Sequence, residues 1–315
     1  MDTTEALLNI GISLNDLTTD QLNNLDNEGF FIVPNVFSEA EVREMQSEVD
    51  RIQKIEGPLG GHEVDIEPGT PRLTNLFNKS DAFDRCLSCK PSLAAALYLL
   101  NEFKTFSLNG RFPIKGAGEQ VLHSDFPRTN PTDWRGVNNM IMLDDMNLDN
   151  GPIRVVPGSH KWVSLNVPDT NLADLKVFKI TEEERKTMPL DSMAPHPKEV
   201  KLTGKAGSVA VINAHIWHGG TRNLSGDPRR VLHFALGRRD LPQQLIERDH
   251  LTPELLERTS SSQRFLLDIE GASPKVFGYP PIPSEARVRN WEAVSYTHLR
   301  AHETEADLVC RLLLE

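Results

Sequence analysis

The 315-residue chain has only three cysteines, and this scarcity argues against a disulfide framework as the basis of its fold. Its longest apolar run, Leu93 to Leu100, is far shorter than the roughly 18–20 residues that a membrane-spanning helix needs. The first residues also lack the basic flank and apolar core of a signal peptide. From these absences we expect a cytoplasmic protein with no membrane partner.

Basic residues are in the minority, since 34 lysines and arginines stand against 45 aspartates and glutamates, a formal net charge of −11. A nucleic-acid-binding protein normally carries a basic surplus that neutralises phosphates, so we expect no nucleic-acid partner. The 20 glycines and 21 prolines are close to the ordinary background of about 12% for the two together. This proportion excludes a collagen-like or low-complexity chain.

The last stretch, residues 294–315, differs in texture from the rest of the chain. It resembles the translated adaptor or vector sequence that is appended to some reading frames, and such segments are set aside in fold reasoning. We therefore expect a non-native tail at 294–315 and one domain at 1–293. Within that domain the patterns indicate an N-terminal helical part at 1–102, a β core at about 103–240 and a C-terminal extension at 241–293.

Two capping boxes predict helices near the N-terminus, one over Thr18 to Gln21 and the other over Ser38 to Glu41. Apolar residues follow the second box at helical spacing, which predicts one buried stripe formed by Val42, Met45, Val49 and Ile52. The run Phe30–Val33 is typical of a short buried strand. A further helix is predicted over 91–101.

Beyond residue 103, short apolar stretches alternate with glycine, proline, asparagine and aspartate, which is typical of a sandwich or barrel. The pattern weakens after Arg239 to one helical segment near 253–258 and then proline-rich coil. The chain is thus predicted to be α+β with a mainly β core. The predicted strands are 103–108, 120–123, 137–143, 153–156, 209–212 and 231–236.

One candidate metal-binding pattern is His123-Ser124-Asp125, whose first and third side chains would share one face of a strand. Imidazole and carboxylate together suit a divalent transition metal. With ten histidines and 45 acidic residues in the chain, one such triplet also arises readily by chance. The second half supplies a partner pattern, because a strand-like run at 207–212 leads to His218, which is followed at fixed spacing by Asn223, Ser225 and Arg229.

In this order the motifs resemble those of the phytanoyl-CoA dioxygenase family of iron(II)/2-oxoglutarate oxygenases. The matching pieces are residues 29–34, His123 with Asp125, the segment 157–160, and the cluster from His218 to Arg229. They extend over about residues 18–240. The resemblance implies a double-stranded β-helix, a jelly-roll or cupin-like core, with the N-terminal helices packed on it.

The resemblance also implies the site. His123, Asp125 and His218 would bind iron(II) as a facial triad, leaving positions for 2-oxoglutarate as cosubstrate and for dioxygen. Arg229 would bind the far carboxylate of 2-oxoglutarate, with Arg230 as the adjacent alternative, since a guanidinium fork matches a carboxylate. In some members the position of Gln120 also contacts 2-oxoglutarate.

The implied reaction is hydroxylation of a C–H bond in a small organic molecule, with release of succinate and CO2. Asp125 favours oxygenation, because related halogenases lack this carboxylate. Ile153 departs from the family, where many members carry threonine. Two alternatives stay open: a cupin-type metal enzyme that does not use 2-oxoglutarate, and a non-enzymatic β-helix binding protein. We expect a monomer or a homodimer.

Several other residues carry weaker expectations. His215 is predicted to be a packed or surface histidine on the opposite face from His218, and His160 a local hydrogen-bonding residue. His233 would lie in the core or line the substrate pocket. The pair Cys86 and Cys89 has no second pair to complete a zinc site. Aromatic and basic residues near the predicted ligands are candidates for lining the pocket: Phe126, Arg128, Trp134 and Trp217.

Overall fold

The fold is that of a computed structural model, which describes residues 1–127, 130, 132–168, 181–289 and 291. Arg128 and the expected tail at 294–315 lie outside the described residues. Within the described part of the chain, no helix combines the length and the apolarity needed to cross a membrane.

The N-terminal part contains four α-helices, and both predicted capping boxes begin helices. The Thr18 hydroxyl accepts a hydrogen bond from the amide of Gln21, and the Ser38 hydroxyl accepts one from the amide of Glu41. The predicted stripe of α3 is buried. The helices are α1 (Thr3–Asn9), α2 (Thr19–Asn27), α3 (Glu39–Glu56) and α4 (Lys90–Leu100).

Within the described residues, nine strands form two antiparallel sheets. The strands are β1 (Phe30–Val33), β2 (Arg72–Leu73), β3 (Phe103–Arg111), β4 (Gly136–Met142), β5 (Ile153–Val155), β6 (Val200–Leu202), β7 (Val209–Asn213), β8 (His218–Gly220) and β9 (Val231–Arg238). The large sheet has the order β1-β7-β4-β9-β3-β2 and the small sheet the order β6-β5-β8. The first two strands lie N-terminal to the predicted β core and form the two edges of the large sheet.

The large sheet is covered on both faces, which explains why its strands read as nearly continuous apolar runs. Alternate residues such as Val137 and Phe234 pack in the core shared with the helices. The intervening residues, Met140 and Val231 among them, pack against Ile153 and its neighbours on the small sheet. Because side chains alternate between the faces of a strand, both sets must be apolar.

The predicted strand at 120–123 is wrong, because only His123 forms a bridge there. The amide of His123 donates to the carbonyl of His218 and the amide of His218 donates back, each at 2.9 Å. Neighbouring amides turn to separate partners, since Leu122 bonds to Ser192 and Asp125 to Ala214. A segment whose amides bond to different parts of the chain cannot form one regular ladder.

Four further helices are α5 (Glu182–Thr187), α6 (Glu247–His250), α7 (Pro253–Arg258) and α8 (Ser261–Leu267). The helical segment predicted near 253–258 is confirmed. The coil predicted beyond it begins only after α8, since residues 268–289 form no helix or strand. A capping box of Ser260 and Gln263 begins α8, whose Phe265 is buried. The sequence interpretation overlooked this box.

After α8, the chain returns to pair with the segment around Ile66. Ile66 bonds through its amide to the carbonyl of Arg287 and through its carbonyl to the amide of Arg289, each at 2.8 Å. This short pairing places Trp291 against His123. The far end of the chain therefore contributes to the region of the predicted site.

Candidate active site

His123, Asp125 and His218 lie together, and each offers one ligand atom within 4.8 Å of the ligand atoms of the other two. The Oδ1 atom of Asp125 lies 3.7 Å from the Nε2 atom of His123 and 3.6 Å from that of His218. His123 and His218 are connected by their backbone bridge, and Asp125 comes from the loop that follows. A triad on one side of a point leaves the other side open to further ligands.

The two histidines are held in the same tautomer. Each Nδ1 donates a hydrogen bond of 2.9 Å to a backbone carbonyl two residues earlier, that of Val121 for His123 and that of Ile216 for His218. Each Nε2 lone pair is thereby directed at the space beside Asp125. A carbonyl behind the ring is the usual arrangement of a metal-binding histidine, since it fixes the ring orientation and the tautomer.

Burial keeps His123 neutral. Loss of water around the ring, helped by repulsion from His218, holds the pKa of His123 well below its usual value. A neutral imidazole can donate its lone pair to a metal at neutral pH without first losing a proton.

The carboxylate of Asp125 is more open than the two histidines. Its side chain is 22% exposed, and its Oδ2 atom accepts a hydrogen bond of 3.2 Å from the Asn138 amide.

Close backbone packing behind the triad requires the glycines that follow His218. A Cβ on Gly219 would lie 2.9 Å from the carbonyl oxygen of Val121, and one on Gly220 would collide with the carbonyl of Gly118. Only glycine lets β8 approach this segment so closely. The two glycines thus permit the bridge that sets His123 beside His218.

Arg229 and Arg230 differ sharply in their surroundings. Arg229 is 2% exposed, and none of its three guanidinium nitrogens has a hydrogen-bond partner among the described residues. Arg230 points outward, where its guanidinium bonds to Asp144 at 2.8 Å and to Asp50 at 2.9 Å. A buried cation without a partner is costly unless an anion binds to it. The guanidinium of Arg229 is therefore available for a bound carboxylate, whereas that of Arg230 is already paired.

The charge around Arg229 supports this interpretation. Burial, with repulsion from Arg111, lowers the pKa of Arg229 to about 9. Its guanidinium remains protonated at neutral pH, and no hydrogen-bonded anion among the described residues compensates this buried charge. Arg111 itself is paired with Glu67 and donates to the side-chain oxygen of Gln120 at 3.0 Å.

Gln120 connects this region to the strand that carries His218. Its Oε1 accepts a second hydrogen bond, of 2.8 Å, from the amide of Gly220. Gln120, Arg111, Ile153 and His233 all line the cavity that also contains the three candidate metal ligands. Burial, with repulsion from Arg111 and Arg229, lowers the pKa of His233 well below its usual value, so this ring is neutral.

Other predicted residues lie outside the cavity. Trp217 is fully buried and donates its indole N–H to the carbonyl of Val163, so it belongs to the core. Phe126 and Trp134 pack near His215, which is buried and accepts a hydrogen bond from the amide of Arg135. None of these three aromatic residues is among the described residues that line the cavity.

The remaining expectations concern local structure. The Asn223 side chain bonds to the carbonyl of Asp227 and the amide of Gly226, so it shapes the turn before Arg229. His160 bonds to the carbonyl of Asp26. Cys86 and Cys89 are buried free thiols, and burial raises the pKa of Cys89 to about 11.

Sequence reasoning missed several residues of the cavity wall. Arg111, Asn138, Arg289 and Trp291 all line it, and the indole of Trp291 lies with its centroid 4.7 Å from that of His123. Asn138 stands on a predicted strand, where alternation could have placed it on the inner face, whereas Arg111 lies beyond the predicted strand 103–108 and belongs to the longer observed strand β3. No local pattern marks the other two, because they reach the site through a distant pairing with Ile66.

Comparisons with known proteins agree with this geometry. The chain is 28% identical over 225 residues to an ectoine dioxygenase from Bordetella bronchiseptica, an alignment that covers 68% of this chain and 73% of the relative. It is also 28% identical over 251 residues to the dioxygenase af480 from Aspergillus fumigatus, covering 76% of this chain and 72% of that one.

Solved structures share the fold. HygX from Streptomyces hygroscopicus, with nickel and 2-oxoglutarate bound, superposes with a TM-score of 0.55 at 21% identity, covering 72% of this chain and 89% of that one. The carbocyclase SnoK from nogalamycin biosynthesis gives a TM-score of 0.54 at 18% identity, covering 72% and 86%. The predicted jelly-roll fold with packed helices is confirmed.

The match to a family model decides the identity. Residues 25–231 match the model described as phytanoyl-CoA dioxygenase, a range that contains all three candidate ligands, Gln120 and Arg229. The predicted resemblance and the enzyme class are thereby confirmed. The chain belongs to the phytanoyl-CoA dioxygenase family of iron(II)- and 2-oxoglutarate-dependent dioxygenases.

Proposed function

We propose that this dioxygenase binds iron(II) through His123, Asp125 and His218, binds 2-oxoglutarate through Arg229, and hydroxylates a C–H bond of a small organic molecule. The observation that carries the proposal is Arg229, a buried guanidinium with no hydrogen-bond partner among the described residues. It lies close enough to Arg111, on the cavity wall, for the two charges to interact. A dicarboxylate bound at the triad supplies the missing anion.

When both are bound, iron(II) and 2-oxoglutarate supply the oxidising chemistry that inserts one atom of dioxygen into the substrate and releases succinate and CO2. The protein orients the three ligand side chains. The backbone carbonyls of Val121 and Ile216 hold both Nε2 atoms toward the metal position, and Asn138 orients Asp125. Two His and one carboxylate leave half of an octahedral site for the cosubstrate and dioxygen.

Burial of Arg229 supports a second role for the chain. A guanidinium removed from water binds a carboxylate more strongly than an exposed one does, because no solvent competes for either charge. Gln120 and Arg111 are joined by a hydrogen bond in the wall of the cavity that contains the triad. The loss of threonine at Ile153 removes one polar side chain from this wall and leaves these contacts intact.

The cupin-type alternative is less well supported. Such sites use three or four histidines, whereas the only described ligand cluster at this cavity combines two histidines with one carboxylate. A cupin without 2-oxoglutarate would also have no use for the unpartnered Arg229. A small-molecule substrate agrees with the names of the relatives, an ectoine dioxygenase and HygX with hygromycin B bound.

Anaerobic titration tests the proposal. Addition of Fe(II) and 2-oxoglutarate to the folded protein is expected to produce a visible charge-transfer band, and absence of the band would contradict the proposal. His123→Ala and Asp125→Ala are expected to abolish 2-oxoglutarate turnover. Full turnover in either variant would refute the ligand assignment.

We further propose that residues 1–293 form one oxygenase domain and that 294–315 are a non-native tail. The contact of Trp291 with His123 supports a domain that extends at least to residue 291. Truncation after Ala293 is expected to leave the melting temperature and the affinity for 2-oxoglutarate unchanged. Truncation after Ala286 also removes Arg289 and Trp291, so it is expected to lower both. A large loss with the first truncation would show that the tail is part of the fold.

A further inference from the structure

The register of the large sheet divides the cavity wall into an inner and an outer part. Residues directly opposite each other on neighbouring antiparallel strands point to the same face. The innermost row contains Arg111, beside Arg229, and therefore marks the 2-oxoglutarate end. Across β4, β9 and β3 the rows are Met142-Val231-Arg111, then Met140-His233-Asn109, then Asn138-Ala235-Ser107.

The two outer rows carry neutral polar side chains, together with Gln244. We call Ser107, Asn109, Asn138 and Gln244 the amide shelf. The Asn109 amide donates to Ser107 at 3.1 Å and to Gln244 at 3.0 Å, and the Ser107 hydroxyl donates to Gln244 at 2.8 Å. The Asn138 amide donates to Asp125. Ser107, Asn109 and Asn138 thus each donate to a partner within the protein.

Two acceptors of the shelf have no such partner. The Oδ1 atoms of Asn109 and Asn138 are both buried and have no hydrogen-bond partner among the described residues. Asn109 is only 5% exposed, so bulk water does not serve it. Buried polar atoms in native proteins are almost always hydrogen-bonded, which indicates that a bound molecule brings the missing donors.

The arginines that line the cavity are already paired. Arg72 and Arg289 both contact Asp65, the second through a 2.7 Å ion pair, and Arg111 contacts Glu67. A substrate carboxylate would have to displace one of these pairs, and it would offer nothing to the two amide oxygens. A hydroxyl or amine group offers them the donors they lack.

From this wall we infer that the amide shelf is the substrate subsite, and that the substrate is a neutral or cationic small molecule carrying at least two hydroxyl or amine donors. The inference rests on the proposed function, because it assigns the inner row to 2-oxoglutarate. Trp291 faces the same cavity and supplies an apolar surface for the carbon skeleton.

The test uses the full chain loaded with Ni(II) and 2-oxoglutarate, which permits binding without turnover. Calorimetric titration compares two donor-rich probes, myo-inositol and glucosamine, with two apolar acids, cyclohexanecarboxylate and octanoate. The donor-rich probes are expected to bind at least tenfold more tightly. Asn109→Leu is expected to weaken them about tenfold, the change that follows from losing one hydrogen bond.

Two more variants keep the test decisive. Gln244 is exposed, so Gln244→Met spares the fold while releasing Ser107 and Asn109 from their partner, and it is expected to weaken the donor-rich probes several-fold. Gln46→Leu is the matched control, because Gln46 bonds to the carbonyl of Leu143 outside the cavity. It is expected to leave probe binding unchanged.

The outcomes separate this inference from the proposed function. If the Fe(II) complex shows its charge-transfer band but the apolar acids bind best, the inference is wrong and the proposed function stands. The same holds if neither Asn109→Leu nor Gln244→Met weakens the donor-rich probes. If the band itself is absent, the proposed function fails and the assignment of the inner row fails with it.

Discussion

Among the described residues, two buried clusters each bring three potential metal ligands within 4.8 Å, but one of them surrounds a lysine of the protein itself. One is the triad of His123, Asp125 and His218, and the other contains Glu56, His62 and Glu63. In the second, which we call the lysine cluster, the Lys79 ammonium lies 2.5 Å from both glutamates, and all three side chains are at most 4% exposed. An internal cation already occupies the place where a metal would go.

The electrostatics of the lysine cluster agree with this difference. Burial by itself raises the pKa of Glu63, but the charge and hydrogen bond of Lys79 outweigh it, so the net pKa is lowered. Tyr279 donates a hydrogen bond of 2.7 Å from its hydroxyl to Glu56, so this carboxyl group has a second partner besides Lys79. At the triad, by contrast, two imidazole nitrogens and a carboxylate open onto a cavity. Proximity of ligand types alone therefore does not make a metal site.

The largest expected effect concerns metal binding. Asp125→Ala is expected to weaken Fe(II) binding by roughly 100-fold or more, because even the loss of a residue that only supports a ligand costs about 10–100-fold. Glu63→Gln, its counterpart in the lysine cluster, is expected to bind one Fe(II) per chain as the unaltered protein does. Anaerobic calorimetry measures both. Two equivalents bound by the unaltered protein, one of them lost in Glu63→Gln, would break the comparison.

The next effect separates two adjacent arginines. Arg229→Met is expected to weaken 2-oxoglutarate binding by roughly 100-fold, since truncating one partner of a buried charge pair costs about 2–5 kcal/mol. Without 2-oxoglutarate the same variant is expected to be no less stable, because it removes an uncompensated buried cation. Arg230→Met should leave 2-oxoglutarate affinity unchanged. Equal losses in the two variants would contradict the assignment.

The lysine cluster is expected to act on stability and not on cosubstrate binding. Lys79→Met leaves Glu56 and Glu63 buried without their cation, which is expected to lower the free energy of unfolding by about 3–5 kcal/mol. Lys205→Met is the control, because its pair with Asp145 is exposed and screened by solvent, so its loss is expected to leave the stability unchanged. Chemical denaturation measures both. A loss below 1 kcal/mol in Lys79→Met would show that the cluster is not held by its lysine.

The comparison also shows what the sequence could predict. The ligands of the triad stand in a short ordered set of motifs, and most strands around them carry apolar runs, so both were predicted. The loop geometry of His123 was not, because it depends on bonds to residues such as Ser192 and Ala214 that no local pattern reveals. The lysine cluster escaped for the same reason, since Glu56, Lys79 and Tyr279 are far apart in the chain.

The smallest expected effect is a dependence of stability on pH, which sharpens the account of the lysine cluster. Glu247 lies in α6, fully buried, and its one hydrogen bond among the described residues, of 3.0 Å, comes from the Asn78 amide. Burial, together with the charge of Glu63, raises the pKa of Glu247 to about 8. Because Lys79 already serves Glu56 and Glu63, Glu247 has no cation and holds a proton at neutral pH.

The sign of the pH effect follows from proton counting. Between the unfolded pKa of about 4.3 and the folded pKa of about 8, the folded state binds a proton that the unfolded state has lost, so stability falls as the pH rises through this window. Glu247→Gln cannot ionise and still accepts a hydrogen bond from Asn78. Denaturation is expected to show nearly equal stability at pH 4.5 and a more stable variant at pH 8.5. A difference independent of pH would mean that Glu247 is ionised in the folded protein, and that the lysine cluster reaches further than its two glutamates.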